Sequence, residues 1–443
     1  MSLDAMALDA DVDFARQTRR KVSLTCCTGG VRWFALNRRA SMITKMRHLS
    51  GIAGLCPRPT TAALVLASLL MAAVVATQPM QAQTFHLLYA FNGSDGADAV
   101  ASLIRDSGGN LYGTTAEGGG AGTVFRLDKT RKLTVLHSFT GEADSSHPMA
   151  ALLRDSAGNL YGTTYDGIGD GTVFKIDPSG TKTVLHRFSG TDGMYPQGSL
   201  VRDESSNLYG TTTAGGAVNW GTVFKLDTSG ALTTLYTFTG GTDGSLPMGS
   251  VVRDVAGNLY GTCASYSTGP GTVWKLDTTG MLTVLHTFDG TDGQGPAGGL
   301  IADAAGNLYG TTVAGGSSDA GTVFRIAKKN GSFSLLHDFA GGSTGPEGGL
   351  PFGTLARDSA GNLYGTNVYG GGGCSPRGSG CGTVWKLDTN NQLTVLTNFG
   401  KGNQGKTPYG GVVLDKAGNL YGTTSRGGSR HCSMCGTVFK ITP

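Results

Sequence analysis

The chain has 443 residues, and 73 of them are Gly, more than twice the usual share. Its net charge of +4 comes from the start: the first 82 residues hold 10 of the 35 Lys/Arg and 4 of the 31 Asp/Glu, leaving 25 basic against 27 acidic residues beyond. A near-neutral body without a basic stripe excludes a nucleic-acid protein, and Gly in register with β-type runs marks turns, which excludes disorder.

Residues 61–76 form an apolar run, with Arg47, His48 and Arg58 on its N-terminal side. The run fits a signal-peptide core and is too short and too rich in small residues for a membrane span. It predicts a signal peptide over 46–82, with cleavage after Ala76 or Ala82. Translation is then expected to start at Met46 or Met42, and residues 1–45 read as a non-native or disordered extension. An uncleaved N-terminal anchor is the alternative. Cys56 precedes the run, which argues against a lipoprotein anchor. The mature chain is expected to be exported (secreted, periplasmic or extracellular), monomeric and without a membrane span.

From residue 83 the chain repeats itself. Gly109-Asn-Leu-Tyr-Gly-Thr-Thr115 recurs around Tyr161, Tyr209, Tyr260, Tyr309, Tyr364 and Tyr421, at spacings of 49, 48, 51, 49, 55 and 57 residues. A period of this size marks a repeat architecture. Each unit holds four short runs rich in β-branched and aromatic residues, separated by Gly, Asp, Asn and Ser turns, which predicts four antiparallel strands. In unit four these are residues 247–254, the Asn-Leu-Tyr-Gly-Thr run, residues 271–277 and residues 282–288. Consecutive apolar positions such as Val251-Val252 suit strands buried on both faces.

The count of strands distinguishes a ring from an open solenoid. The last unit ends after Gly436-Thr-Val-Phe-Lys-Ile441 and lacks a fourth strand, while residues 84–91 match a fourth strand and nothing else. The orphan at one end completes the sheet at the other, which closes a ring and removes its exposed edges. The expected fold is all-β: a seven-bladed β-propeller of four-stranded blades over 83–443, closed by the N-terminal strand.

Turn lengths separate two faces. Three residues always lie between the first-strand Asp (106, 155, 203, 254, 303, 358, 415) and the next Asn, as in a tight hairpin whose Asp accepts backbone N–H groups. On the other face the second-to-third loop grows from residues 116–121 to 368–381 in unit six and 425–435 in unit seven, and the fourth-to-first loop grows at 340–350. Variable loops on a rigid scaffold carry function, so this face is the expected ligand face.

The triplet GTVFKLD, LTVLHTF and GNLYGTT resembles the GloVer tandem repeat of the exported "choice-of-anchor" group, with a layout similar to NHL-type repeats. The resemblance covers residues 84–443 and implies an exported β-propeller, with no catalytic residues to carry across. Members often bear a C-terminal anchoring segment, whereas this sequence ends directly after a repeat strand.

Five cysteines follow the leader. Cys374 and Cys381 share one long loop and Cys432 and Cys435 the next, which predicts two local disulfides that stiffen their loops. A zinc site built from these thiols with His431, and a redox role for Cys432-Ser-Met-Cys435, are the alternatives. No metal or other cofactor is expected. Cys263 replaces a repeat Thr and is expected to be a buried free thiol. His137, His186, His286 and His337 share a fourth-strand position with Tyr89, Tyr236 and Thr397, so they are expected to pack. Arg105, Arg154, Arg202, Arg253 and Arg357 precede the turn Asp, with Ala302 and Leu414 breaking the set. They are expected to pair with neighbouring Asp or carbonyl groups, an anion-attracting ring being the alternative. The Asp-Gly pairs at Asp95, Asp192, Asp243 and Asp292 lack calcium-loop ligand density and read as turns.

The positions expected at the channel mouth are Val100, Met149, Gln197, Met248, Ala297, Phe352 and Tyr409. They supply neither a carboxylate pair nor a His for acid–base work. Met149, Gln197, Phe352 and Tyr409, with Trp220 from a loop of unit three, form the expected ligand set, suited to a sugar ring or a protein side chain. The expected function is a binding scaffold for a glycan or protein partner; the alternative is a propeller lyase or hydrolase with a site assembled from several blades. Convergence of Cys263, Asn367, Arg430 and His431 in one cleft is the observation that favours the enzyme.

Overall fold

The repeated Tyr-Gly-Thr run owes its Gly to the strand beside it. In every blade that Gly lies directly across from the third-strand aromatic, as Gly113 opposite Phe125 and Gly365 opposite Trp385. A Cβ on Gly113 would fall 2.7 Å from Phe125 Cζ and 2.8 Å from Leu103 Cδ2, so only Gly lets the ring lie flat across the strand. Second strands such as Leu111–Thr115 are buried along their whole length, and the third strand Thr123–Leu127 exposes part of Arg126 alone.

The computed structural model describes residues 83–443 apart from 142–143, 167–168, 266–268, 343, 373–379, 429–431, 433 and 443. The expected extension over 1–45 and signal peptide over 46–82 lie outside the described residues, as do Cys374, Arg430 and His431. The described chain forms seven antiparallel four-stranded sheets and no α-helix. Six sheets are consecutive in sequence. In the seventh, Thr84–Ala90 pairs with Thr437–Thr442, Thr84 opposite Thr442 and Ala90 opposite Thr437. The fold is the seven-bladed propeller expected, closed by its N-terminal strand.

The first strand is shorter than expected. In unit four only Val252–Arg253 pairs with the second strand, where the sequence suggests residues 247–254. The preceding segment runs against its counterpart in the neighbouring blade instead. Thr262 Oγ1 donates to Gly298 O at 3.3 Å, and Thr211 Oγ1 to Gly249 O at 3.2 Å. Blade 7 repeats the clasp onto blade 1, with Thr423 Oγ1 on Ala101 O at 3.0 Å and Gly411 N on Ser102 Oγ at 2.8 Å. These segments therefore line the centre of the ring.

Between blades, a Phe that follows each fourth strand meets the third-strand aromatic of the next blade. Seven such pairs, from Phe139–Phe174 to Phe91–Phe125 at the closure, have centroids 5.1–5.6 Å apart. They form an apolar belt in which each ring is fully or almost fully buried.

On the hairpin face, the turn Asp accepts the Asn N–H and side-chain amide and the Tyr hydroxyl, as expected of a tight turn. For Asp106 these distances are 2.8, 2.8 and 3.1 Å. The Arg of the next blade lies over that Tyr, as Arg154 over Tyr112 at 5.6 Å and Arg105 over Tyr421 at 5.7 Å. The Arg set thus joins neighbouring blades through a ring face and an attracted Asp rather than forming an anion-collecting ring. Where Ala302 breaks the set, Lys328 substitutes: its Nζ donates to Tyr260 Oη at 2.7 Å and to Asp254 at 3.2 Å.

The histidines and the Asp-Gly turns prove to be two halves of one rim contact. His186 Nε2 lies 2.8 Å from Asp192 and His286 Nε2 2.7 Å from Asp292, while His137 faces Asp144 and His337 faces Glu347. Tyr236 donates to Asp243 and Tyr89 to Asp95 in the same way. Unit six has Thr397 here and no carboxylate in its following loop, residues 400–405. Each carboxylate also accepts a turn N–H, for instance Ser189 N on Asp192.

Candidate ligand-binding face

The ligand face is organised by one residue per blade in the fourth-to-first loop, placed just before a Pro in six blades and before Ala99 in blade 1. Asp98, His147, Tyr195, Leu246, Gly295, Leu350 and Thr407 all have positive φ, between 51° and 64°. Six of these are not Gly, and holding such residues there costs on the order of 1–3 kcal/mol each. Their backbones bridge adjacent blades. His147 N donates to Ala121 O of blade 1, and Tyr165 N of blade 2 donates to His147 O. The same pair of bonds recurs at Tyr195, Leu246, Gly295, Leu350 and Thr407. A constant backbone therefore presents a changing side chain at fixed stations around the ring.

Around the stations lie the first two residues after each second strand and the residue before the station, and their character differs by sector. Blades 1 and 2 contribute Asp98, Glu117, His147 and Asp166, and blade 7 contributes Lys406 and Arg426, whose backbones pair. Blades 4 to 6 contribute Leu246, Ala264, Val313, Leu350 and Val368. At blades 2 and 3, Tyr165 and Tyr195 stack with centroids 4.8 Å apart and planes 20° from parallel.

His147 Nδ1 lies 2.8 Å from Asp166 Oδ1, with about 40% of each side chain exposed. The Asp166 hydrogen bond holds the imidazole above its usual range against the opposing effect of burial, and the charges of Asp166, Glu117 and Asp98 add to it. Asp166 is held below the usual carboxylate range by the same bond, with Ser146 Oγ donating at 2.6 Å. Ser146 and His147 both engage Asp166 Oδ1, so the hydroxyl is not aligned on the imidazole as a nucleophile would be. Burial pushes the Tyr165 phenol up, and Tyr195 and Asp166 push the same way.

The mouth residues are distributed unevenly. Met248 and Ala297 are buried, while Val100, Met149, Gln197, Phe352 and Tyr409 are half-buried. Phe352 and Tyr409 meet edge to face at 5.7 Å, and Gln197 Nε2 donates to Thr213 Oγ1 at 3.1 Å. Trp220 packs on the Tyr209 and Phe238 cluster and over Gly240, whose Cβ would meet its Nε1 at 2.4 Å. It covers the blade rather than joining Phe352 and Tyr409. The His147–Asp166 pair and the tyrosine stack are absent from the expected set. Aligning the copies at the residue before Pro would have singled out His147 and Tyr195, but not Asp166 and Tyr165, which follow the second strand.

Among the described residues the cysteines and Asn367 do not converge. Cys432 and Cys435 form a disulfide, and Cys381 is disulfide-bonded as well. Cys263 is a buried free thiol, pushed well above the usual thiol range by burial. Asn367 is fully buried, donating to Glu347 O and accepting from Trp385 Nε1 at 3.0 Å. Both replace the Thr that elsewhere pairs with the third-strand Thr, and both occur where that strand carries Trp. Their departure from the repeat is an internal packing adjustment. Among the described residues no cluster of His, Cys, Asp and Glu could hold a metal ion, and no helix is long and apolar enough to cross a membrane.

Comparison with known proteins agrees with this architecture. The chain is similar to virginiamycin B lyase from Staphylococcus aureus, with 12% identity over 82% of this chain and 99% of that one and a TM-score of 0.56. It is also similar to the extracellular domains of two putative regulators of B. thetaiotaomicron. The hybrid two component system matches at 15% identity over 81% of this chain with a TM-score of 0.53, and the one component system at 11% over 82% with 0.54. This chain spans 41% and 40% of those two. At such identities the likeness is one of fold alone. No curated protein matches the sequence. The model of the Gloeobacter/Verrucomicrobia repeat matches residues 72–269 and 252–443, in accord with the seven blades. The chain belongs to the Gloeobacter/Verrucomicrobia repeat family.

Proposed function

We propose that the chain is an exported binding propeller that takes a glycan or protein partner through its loop face. One observation carries this reading: the hairpin face is nearly identical from blade to blade, while the loop face uses a recurring backbone to hold six residue types at seven stations, Leu alone occurring twice. Non-Gly residues held at positive φ are retained there despite their cost, as at sites kept for recognition. Phe352, Tyr409, Gln197 and Met149 supply an amphipathic mouth beside these stations, and Trp220 supports the rim. The signal peptide expected over 46–82 supports an activity outside the cytoplasm.

The enzyme alternative, a lyase or hydrolase of polysaccharides, draws its support from the His147–Asp166 pair on the same face. The test is a glycan array and a pulldown with residues 83–443, followed by incubation of any bound polysaccharide. Binding without cleavage is the expected result. Turnover of a polysaccharide would replace the scaffold reading with the catalytic one.

A further inference from the structure

Resting on the loop-face reading, we infer that the seam between blades 2 and 3 is a subsite for a non-anionic sugar ring, built from Tyr165, Tyr195, His147, Asp166 and Gln197. Two features meet at this seam, and a third, the His147–Asp166 pair, lies one station away, where Tyr165 N donates to His147 O. The tyrosine stack crosses the seam, with both rings half-buried, and supplies an aromatic surface at the loop face. The His147–Asp166 pair, about 40% exposed, and the Gln197 amide add a carboxylate, an imidazole and an amide, the groups that meet sugar hydroxyls.

The other feature at the seam is a break in the scaffold. Six of the seven second-strand threonines donate to a carbonyl of the next blade: Thr114, Thr211, Thr262, Thr311, Thr366 and Thr423. Thr163, which faces the blade 2–blade 3 seam, is 1% exposed and its hydroxyl finds no partner among the described residues. A buried unsatisfied hydroxyl in an otherwise regular ring calls for a functional or solvent partner. Its coincidence with the tyrosine stack singles this seam out from the other six. The sign of the ligand follows from its surroundings. Asp166 is a carboxylate about 40% exposed beside the stack, which opposes a uronate and accepts a neutral or amino-bearing ring.

Tyr195 provides a discriminating variant. Gly295 holds the same station in blade 5 at φ 64° with the same backbone bonds, so Tyr195→Gly keeps the fold and relieves the strained φ of 59° while deleting half the stack. Calorimetric titration of residues 83–443 with xylohexaose, a chitosan hexamer and hexagalacturonate is the experiment, run on wild type, Tyr195→Gly, Tyr165→Ala, Asp166→Asn and Phe352→Ala. Binding of xylohexaose or the chitosan hexamer, but not of hexagalacturonate, is expected. Tyr195→Gly should weaken it roughly tenfold or more, the worth of one lost ring contact, with a melting temperature no lower than wild type. Affinity lost in Phe352→Ala but unchanged in Tyr195→Gly, Tyr165→Ala and Asp166→Asn would overturn the subsite and leave the loop-face reading standing. Preference for hexagalacturonate, or no binding of any of the three, would also overturn it. The pulldown then shows separately whether the loop face binds a protein.

Discussion

Cys263 and Asn367 show how much of this chain is decided by single contacts. Five blades close the end of the second strand with two Thr hydroxyls 2.8 Å apart, as Thr212 with Thr222. Where Phe becomes Trp, the indole N–H arrives at the same spot and needs an acceptor. Asn367 provides one to Trp385, but the buried Trp274 Nε1 has no hydrogen-bond partner among the described residues and has the Cys263 thiol, a weak acceptor, beside it. A buried unsatisfied donor is costly. Cys263→Asn should therefore reproduce the blade-six arrangement and donate to Asp243 O, the counterpart of Glu347 O. We expect a gain of about 1 kcal/mol, or roughly one to two degrees in melting temperature for a chain of this length. Cys263→Thr, which restores the repeat residue but offers the indole no better partner, should give no such gain. A lower melting temperature for Cys263→Asn than for wild type would contradict this account.

At the scale of the hairpin, seven first-to-second turns share one carboxylate design. Burial alone would raise each Asp, but the Asn side chain, the Asn N–H and the Tyr hydroxyl outweigh it and hold all seven below the usual range. Asp254 goes furthest, to about 2, because Lys328 adds a charged donor to those contacts. Lys328→Met should bring the Asp254 titration up to join its six counterparts, a shift readable by NMR of the carboxyl carbon. An unchanged Asp254 would show that the hairpin alone sets its acidity. The design was partly visible in the repeat, since Asp, Asn and Tyr recur at fixed spacing. The replacement of the Ala302 position by Lys328 was not, because that lysine comes from a different turn of the blade and meets Asp254 only across the seam.

The whole molecule inherits these local terms seven times over. A group whose folded pKa is depressed stabilises the fold above its unfolded value and loses that contribution as pH falls through the folded value. With seven such Asp groups, the guanidinium midpoint should hold steady near neutrality. It should then drop steeply below about pH 4, the unfolded Asp value, down to about pH 2. A midpoint flat across that window would mean the carboxylates do not matter to stability. Closure is the other global property. Deleting residues 83–91 removes the fourth strand of blade 7 and one of the seven aromatic junctions, Phe91–Phe125, and bares the Thr437–Thr442 edge. The truncated chain should aggregate on size exclusion and melt well below wild type; a monomer of equal stability would argue that the ring is held without this strand.

The architecture was legible because repetition multiplies weak local signals. Seven copies of one turn and seven of each strand type, with the missing strand supplied from the other end, determine blade number, order and closure by counting alone. The half-buried histidines and the Asp-Gly turns were also legible as scaffold, although their pairing at the rim needed the two columns to be read together: Thr397 and the missing carboxylate of its loop fall in the same unit. The ligand face was legible only as a face. Tyr165 and Tyr195 are 30 positions apart and belong to different blades, and no periodicity relates them because each replaces a different residue in its own copy. Their stacking, the His147–Asp166 pair beside them and the broken Thr163 clasp beneath arise where two blades meet. Strand identity is a property of local sequence period, whereas a seam between blades depends on side chains that the period leaves free to vary, so only the tertiary structure could bring them together.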